Sequence, residues 1–322
     1  MKARYLLQFS YIGTHFRSSE KVWLKEGRNY PDLQSIQGVI ELGLLKLRPL
    51  LYPNLVLSSR TDGGVHALNS SAHVDLERFG SKLFETSAIE YELNKYFFKN
   101  NHPVFVKKCT RVSDDFNARF NAKSRTYLYR FAFFKKGLEI PERSPIGNYI
   151  PVEEWRRCQF IRFPNVDIAR FKEGCKYFVG YHDFTTFKKH DKLIQYKPNR
   201  REIYSIEVKP GNSLVTNYSL QRDSAFEYWD VFIRGRSFVH NQIRRMIGTL
   251  ISVAIGKLPP EEIKVMLQVP SKHSWHSFIQ TSPPDGLYLC DIEYDPADLI
   301  YNQENSEVSK ENKTESEELE SA

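Results

Sequence analysis

Ser59-Arg60-Thr61-Asp62-Gly63-Gly64-Val65-His66-Ala67 lies between two stretches that read as strands. Before it, Leu55-Val56-Leu57 is a short apolar run that enters the polar turn over residues 58–64. After it, Ala72, Val74 and Leu76 alternate with His73 and Asp75, the two-residue period of a half-buried strand. Alone, Asp-Gly-Gly is a turn, because glycine accepts positive φ and aspartate bonds its own backbone. The flanks add chemistry to that turn. A buried strand delivers Arg60, Asp62 and His66 into a loop whose paired glycines let a substrate approach the carboxylate closely. A carboxylate beside a guanidinium stays ionised and positioned, as a nucleophile must.

Outward from this loop, strands and helices alternate twice. In the first half, residues 5–9 read as a buried strand. Ser35 can cap a helix whose Ile36, Val39, Ile40, Leu44 and Leu47 recur at helical spacing. Residues 87–98 read as a second helix and 104–106 as another strand. A polar stretch over 113–124 follows and marks the boundary. The second half repeats the theme with a strand over 127–134 and a looped segment over 141–151. A helix over 167–178 then places Ile168, Phe171, Cys175 and Phe178 on one face. Alternating strands at Tyr204/Ile206/Val208 and Trp229/Val231/Ile233 come next, then helices over 239–255 and 260–267 and a last strand over 287–294. The expected fold class is α+β: two halves, each a sheet covered by helices. The expected domains are 1–118, carrying the Asp62 loop, and 123–296, with an acidic disordered tail over 302–322.

Charge separates along the chain. The whole carries +7, but the seven Glu and two Lys after Asn302 contribute −5, leaving +12 on residues 1–301. So basic a body points to a polyanion such as nucleic acid. The four cysteines, Cys109, Cys158, Cys175 and Cys290, are scattered, indicating neither a disulfide framework nor a zinc site, and suit a reducing compartment. No apolar run approaches the ~20 residues of a membrane span, and no secretory signal is expected at the N-terminus. His273 and His276 lack a third ligand nearby, so no metal is assigned.

Two further stretches carry candidate chemistry. In Lys123-Ser-Arg125-Thr-Tyr127-Leu-Tyr129-Arg130-Phe131, strand geometry puts Arg125, Tyr127, Tyr129 and Phe131 on one face. Tyr129 and Phe131 read as sheet packing, while two Tyr flanked by Arg residues can also form a stacking platform for an unpaired base. In Arg236-Ser-Phe238-Val-His240-Asn-Gln-Ile243-Arg244-Arg245-Met-Ile-Gly248, residues Ile243, Ile247, Leu250, Ile251 and Ala254 make one apolar stripe. Arg244 falls at its edge, where a partly buried guanidinium wants a carboxylate, and Asp62 is an attractive partner. Arg245 falls nearly opposite and is expected to meet solvent or phosphate. His240 lies near the stripe and reads as a structural, hydrogen-bonded histidine. A basic run over 188–201, with Lys188, Lys189, Lys192, Lys197, Arg200 and Arg201, reads equally as a solvated loop or as phosphate contacts.

These motifs together resemble one family. Arg60-Thr-Asp-Gly-Gly-Val-His66 is similar to the R-T-D-x-G-V-H motif of TruA pseudouridine synthases, and Arg125-Thr-Tyr127 to their R-x-Y element. Phe238-Val-His240 through Arg244 to Gly248 resembles their F-x-H-x-x-R-x-x-x-G helix. Asp183-Phe184 and Pro284-Asp-Gly286-Leu-Tyr288-Leu resemble the D-F and P-x-G-L-x-L elements. The order agrees over roughly residues 3–295, and the eukaryotic synthase-like branch looks closest. Near the N-terminus Tyr11-Ile-Gly13-Thr-His-Phe16 fits, but Arg17-Ser-Ser replaces the family's Gly-aromatic-Gln part.

The resemblance implies two pseudo-symmetric domains with a basic cleft between them, a homodimer, and isomerisation of uridine to pseudouridine in tRNA. It implies the anticodon stem-loop as target and no cofactor or metal. It gives Asp62, Tyr127 and Arg244 catalytic roles and Arg60, His66, Arg125 and Phe238 contacts to substrate. Arg60 would help hold the extruded nucleotide, since a base inside a helix is out of reach. The compartment implied is intracellular, mitochondrial or cytoplasmic. The alternative reading is an RNA-binding or RNA-chaperone protein of the same fold without turnover. A carboxylate-dependent hydrolase would want a second catalytic carboxylate or a metal cluster, and no motif for either is found.

Overall fold

The computed structural model describes residues 1–21, 32–138, 144–163, 165–189, 198–214 and 225–301. The acidic tail over 302–322, the middle of the basic run over 190–197 and the start of the looped segment, residues 141–143, lie outside the described residues. The chain divides into two compact units, Met1–Thr61 with Ala67–Lys123 and Ile292–Ala322, and Asp62–His66 with Ser124–Asp291. The sequence predicts the Asp62 loop in the N-terminal part. Contacts put Asp62–His66 in the second unit instead, because its side chains find their partners far along the chain.

The first unit begins with β1 (Lys2–Tyr11) and α1 (Ile36–Leu44), continues through β2 (Val56–Leu57) and β3 (His66–Glu77), and adds α2 (Thr86–Lys99) and β4 (Val104–Val112). Its strands run in the order β4-β1-β3, with β2 paired to β3. The β1 pairings with β3 and β4 are antiparallel. β1 is central, and Tyr5, Leu6, Leu7 and Phe9 are all buried in it. Ser35 caps α1 as expected: its Oγ accepts the Gly38 amide at 3.1 Å, a contribution of about 1 kcal/mol. Ile89, Leu93 and Phe97 form the buried face of α2.

The second unit holds β5 (Ser124–Phe134), β6 (Gln159–Ile161), α3 (Ile168–Phe178), β7 (Gly180–Asp183) and β8 (Arg200–Pro210). It continues with β9 (Phe226–Gly235), α4 (Gln242–Ala254), α5 (Glu262–Gln268) and β10 (Leu287–Glu293). The order is β10-β5-β9-β8-β7, with β6 laid parallel on β5. The β5–β9, β9–β8 and β8–β7 pairings are antiparallel. β6 and β7 have no counterpart in the sequence reading, since runs of three and four residues are too short to show a period.

Two helices shape this unit. Asp167 caps α3, its carboxylate accepting the Ala169 and Arg170 amides at 2.8 and 3.1 Å. Phe171, Cys175 and Phe178 point inward, and the Phe171 ring stacks on Phe131 of β5 at 5.2 Å. α4 is buried along nearly its whole length, from Gln242 to Ala254. At Gly248 any Cβ would run into the carbonyl of Gln280, so glycine is what lets the 280–282 segment lie against the helix backbone. Sheets with helices packed on them, mostly antiparallel, define an α+β protein. Among the described residues no helix is long and apolar enough to cross a membrane.

Candidate active site

Asp62 is the first residue of the stretch that belongs to the second unit. Thr61 before it is held in the first unit, its amide donating to Ser19 Oγ at 2.7 Å. The Asp62 carbonyl closes a tight turn by accepting the Val65 amide at 3.2 Å. Gly64 makes that turn possible. It sits at φ +85°, and a Cβ there would meet Pro284 Cγ at 2.8 Å. The loop therefore presents a carboxylate on a backbone that side chains larger than hydrogen would disturb.

Two side chains hold the carboxylate, one on each oxygen. Arg244 Nη1 donates to Oδ2 at 3.2 Å, and His240 Nε2 lies 3.2 Å from Oδ1. Arg244 is itself fixed: its Nε donates to the Ser282 carbonyl at 2.8 Å and its Nη1 also reaches Asn241 Oδ1 at 3.1 Å. Asn241 adopts φ +61° immediately before α4, which brings His240 and Arg244 to the same carboxylate. Burial acts to raise the Asp62 carboxyl, but the bonds and charges of His240 and Arg244 outweigh it and hold the group below its ordinary value. The side chain remains 27% exposed, so it is ionised, oriented and still reachable.

The sequence placed Arg244 at the edge of the apolar stripe in search of a carboxylate, and the structure gives it Asp62. His240 is hydrogen-bonded as expected, but its partner is Asp62 and its side chain is 41% exposed. The residue before a helix is not governed by the helical period, so the stripe could not name that partner. Arg245 departs from expectation. Its Nη1 donates to the carbonyls of Thr186 and Lys188 at 2.8 and 2.6 Å, and its guanidinium stacks over Trp275 at 4.0 Å. The polar face of α4 is covered by these two loops rather than by solvent, and desolvation lowers the Arg245 pKa.

The remaining candidates divide by burial. Tyr127 on β5 is buried, with Phe238 standing edge-on to its ring at 5.1 Å. Phe238 itself is half-buried. Arg125 is buried and donates to the Arg236 carbonyl at 2.7 Å, fixing the segment that leads to Phe238 and His240. Tyr129 and Phe131 are packing residues as expected. Both are fully buried, and the Tyr129 hydroxyl donates to the Pro283 carbonyl at 2.8 Å. His66 is buried and stacked on Tyr288 at 4.6 Å, with Nε2 donating to the Arg156 carbonyl at 3.1 Å. Desolvation lowers its pKa and keeps it neutral. Arg60 is exposed and meets Glu20 at 3.2 Å in the first unit. His276 bonds Glu262 at 3.0 Å.

Comparison with known proteins identifies the family. A family model described as tRNA pseudouridine synthase matches residues 175–295. The chain is 34% identical over 303 residues to tRNA pseudouridine synthase-like 1 of Xenopus laevis, covering 92% of this chain and 93% of the relative. It is 30% identical over 298 residues to the human protein of that name, covering 91% of each. To tRNA pseudouridine synthase A of Jannaschia sp. (strain CCS1) it is 30% identical over 293 residues, covering 91% of this chain and 95% of the relative. The chain belongs to the TruA-type tRNA pseudouridine synthases, a family of isomerases, on the side of its eukaryotic synthase-like members.

Proposed function

We propose that this protein isomerises uridine to pseudouridine in the anticodon stem-loop of tRNA, with Asp62 as the group that acts on the target nucleoside. The observation that supports it best is the Asp62 carboxylate on its glycine turn, bonded by Arg244 and His240 yet still partly open. The reaction breaks the bond between uracil N1 and ribose C1′, turns the base, and joins C5 to C1′. The C5 proton leaves and N1 gains one, so no redox partner or added group is needed. A fixed anionic carboxylate suits attack on the nucleoside or removal of a sugar proton.

In this reading Arg244 keeps Asp62 charged and aimed. Tyr127, with Phe238 against its ring, supports the flipped base and assists loss of the C5 proton. Arg60, exposed on the loop, holds the extruded nucleotide. Arg125 and His66 act one step away, because both are buried and bonded to backbone carbonyls. The +12 on residues 1–301 supplies salt-sensitive affinity for the phosphate backbone. Homodimer assembly and action in mitochondria or cytoplasm belong to the same proposal.

The test is pseudouridine mapping on unmodified tRNA transcripts treated with wild-type protein and with Asp62→Asn. A site formed by the wild type and absent with the variant is expected. No site across cytosolic and mitochondrial transcripts would favour RNA binding without turnover.

A further inference from the structure

Trp155, Arg156 and Arg157 are three consecutive exposed residues between two buried ones, Glu154 and Cys158. Trp155 is 62% exposed, a large aromatic surface left in water. Arg156 holds φ +59°, a left-handed backbone that a residue with a Cβ rarely adopts. The surroundings keep it there. Glu154 is locked to Arg130 at 3.0 Å, and its carbonyl accepts the Arg157 amide at 3.0 Å. The Arg156 carbonyl accepts from His66, and the Arg157 carbonyl accepts the Tyr288 hydroxyl at 2.7 Å. His66 and Tyr288 are themselves stacked. A costly backbone conformation fixed from several sides is the mark of a presented surface rather than of a slack loop.

The position of that surface matters. His66 ends the turn that carries Asp62, so the tripeptide is tied through one side chain to the candidate catalytic loop. Its chemistry is an exposed indole followed directly by two guanidinium groups. Among the described residues Asp285 lies 3.6 Å from Arg156 Nε, and Glu153 precedes the buried Glu154. An exposed aromatic among cations is how proteins hold single-stranded nucleic acid, the ring stacking on a base and the cations meeting phosphates. We infer that Trp155, Arg156 and Arg157 form a single-strand RNA contact beside the Asp62 loop. In it the indole stacks on an unpaired base next to the target uridine, and the guanidinium groups meet flanking phosphates. This rests on the proposed tRNA substrate. His66 then serves to fix the stacking element relative to the carboxylate.

Affinity for unmodified tRNA tests it, measured at several salt concentrations in the full chain carrying Asp62→Asn so that no turnover intervenes. Trp155→Ala is expected to weaken binding about tenfold or more, and Trp155→Phe to keep most of the affinity. Arg156→Gly removes a cation but fits the left-handed backbone, so it is expected to bind more weakly while melting no lower than its parent. It should also flatten the salt dependence by about 0.7 in log–log slope. A purely structural role predicts the opposite pattern, with stability moving and affinity unchanged. Unchanged affinity in both Trp155→Ala and Arg156→Gly overturns the inference. So does a change confined to oligomeric state by light scattering, which would mark the segment as a protein interface. Pseudouridine mapping with otherwise wild-type protein keeps the two readings apart. Affinity losses without any pseudouridine would sink the catalytic reading alone, and pseudouridine with unchanged affinities would sink this contact alone.

Discussion

Asp62 and Glu154 are both carboxylates held by an arginine, in the same unit, and they end in different states. Glu154 is 0% exposed and its partner Arg130 is 8% exposed. It accepts Arg130 Nη1 at 3.0 Å and Nη2 at 3.3 Å, and also the Leu214 amide at 2.6 Å. Burial acts to lower the Arg130 pKa, but the charge and bonds of Glu154 outweigh it and raise it further. Every lone pair faces protein, and the pair ties β5 to the loops on either side of it. Asp62 has one bond to each oxygen from separate side chains, and 27% of it is open. The charge chemistry is the same; what differs is whether the remaining lone pairs are used by the fold or left for a substrate. Glu154, closed in by a guanidinium and a backbone amide, fastens the fold, whereas Asp62, held at its rim and partly open, is free to act on a substrate.

The largest expected effect separates the two directly. Asp62→Asn should lower pseudouridine formation by at least about a thousandfold, while stability to urea changes by under ~1 kcal/mol because the site is partly solvated. Glu154→Gln should do the reverse. Arg130 would keep only its longer contact to Asp230 at 3.5 Å, so the loss costs up to about 3–5 kcal/mol, read as a lower urea midpoint, with turnover per folded molecule retained. A loss in Glu154→Gln comparable to that of Asp62→Asn would break the contrast.

Arg244→Lys comes next. One ammonium cannot reach the Ser282 carbonyl, Asn241 and Asp62 at once as the guanidinium does. A roughly 10- to 100-fold loss in kcat with a nearly unchanged tRNA Kd is expected, measured by single-turnover and equilibrium binding. A proportionate loss of tRNA affinity would make Arg244 a phosphate contact instead. The smallest effect concerns pH. Asp62 is held below its ordinary value, so its contribution to stability is complete above the unfolded carboxylate value near 3.9. That contribution drains away as pH falls through the folded value. The stability difference between wild type and Asp62→Asn should therefore be flat from neutral pH to about pH 5 and shrink below about pH 4, by under ~1 kcal/mol. A difference that grew on acidification would mean that the carboxyl is neutral in the fold.

Much of the site could be read along the chain. The helical period of α4 fixed the burial of Ile243 and Ile247 and put Arg244 at an edge, because a period is a local property of a regular element. Ser35 declared its helix start for the same reason. The Arg60-to-His66 motif located the glycine turn, since a positive φ such as that of Gly64 is a demand made on one residue. What the period could not reach is whatever depends on neighbours distant in sequence. His240 lies outside the helix and is aimed by Asn241, so its bond to Asp62 exists only in three dimensions. Arg245 faces away from the stripe, yet the carbonyls of Thr186 and Lys188 and the ring of Trp275 cover that face.

The sequence by itself determined the α+β alternation, the caps, the glycine turn and the residues able to carry charge chemistry, because these follow from local backbone preference and from side-chain type. Tertiary structure decided which carboxylate is closed and which stays open, that His66 is a strut rather than a surface group, and that Arg156 stands in a left-handed turn beside it. Burial and the pairing of distant groups are sums over the whole fold, and no window along the chain contains them.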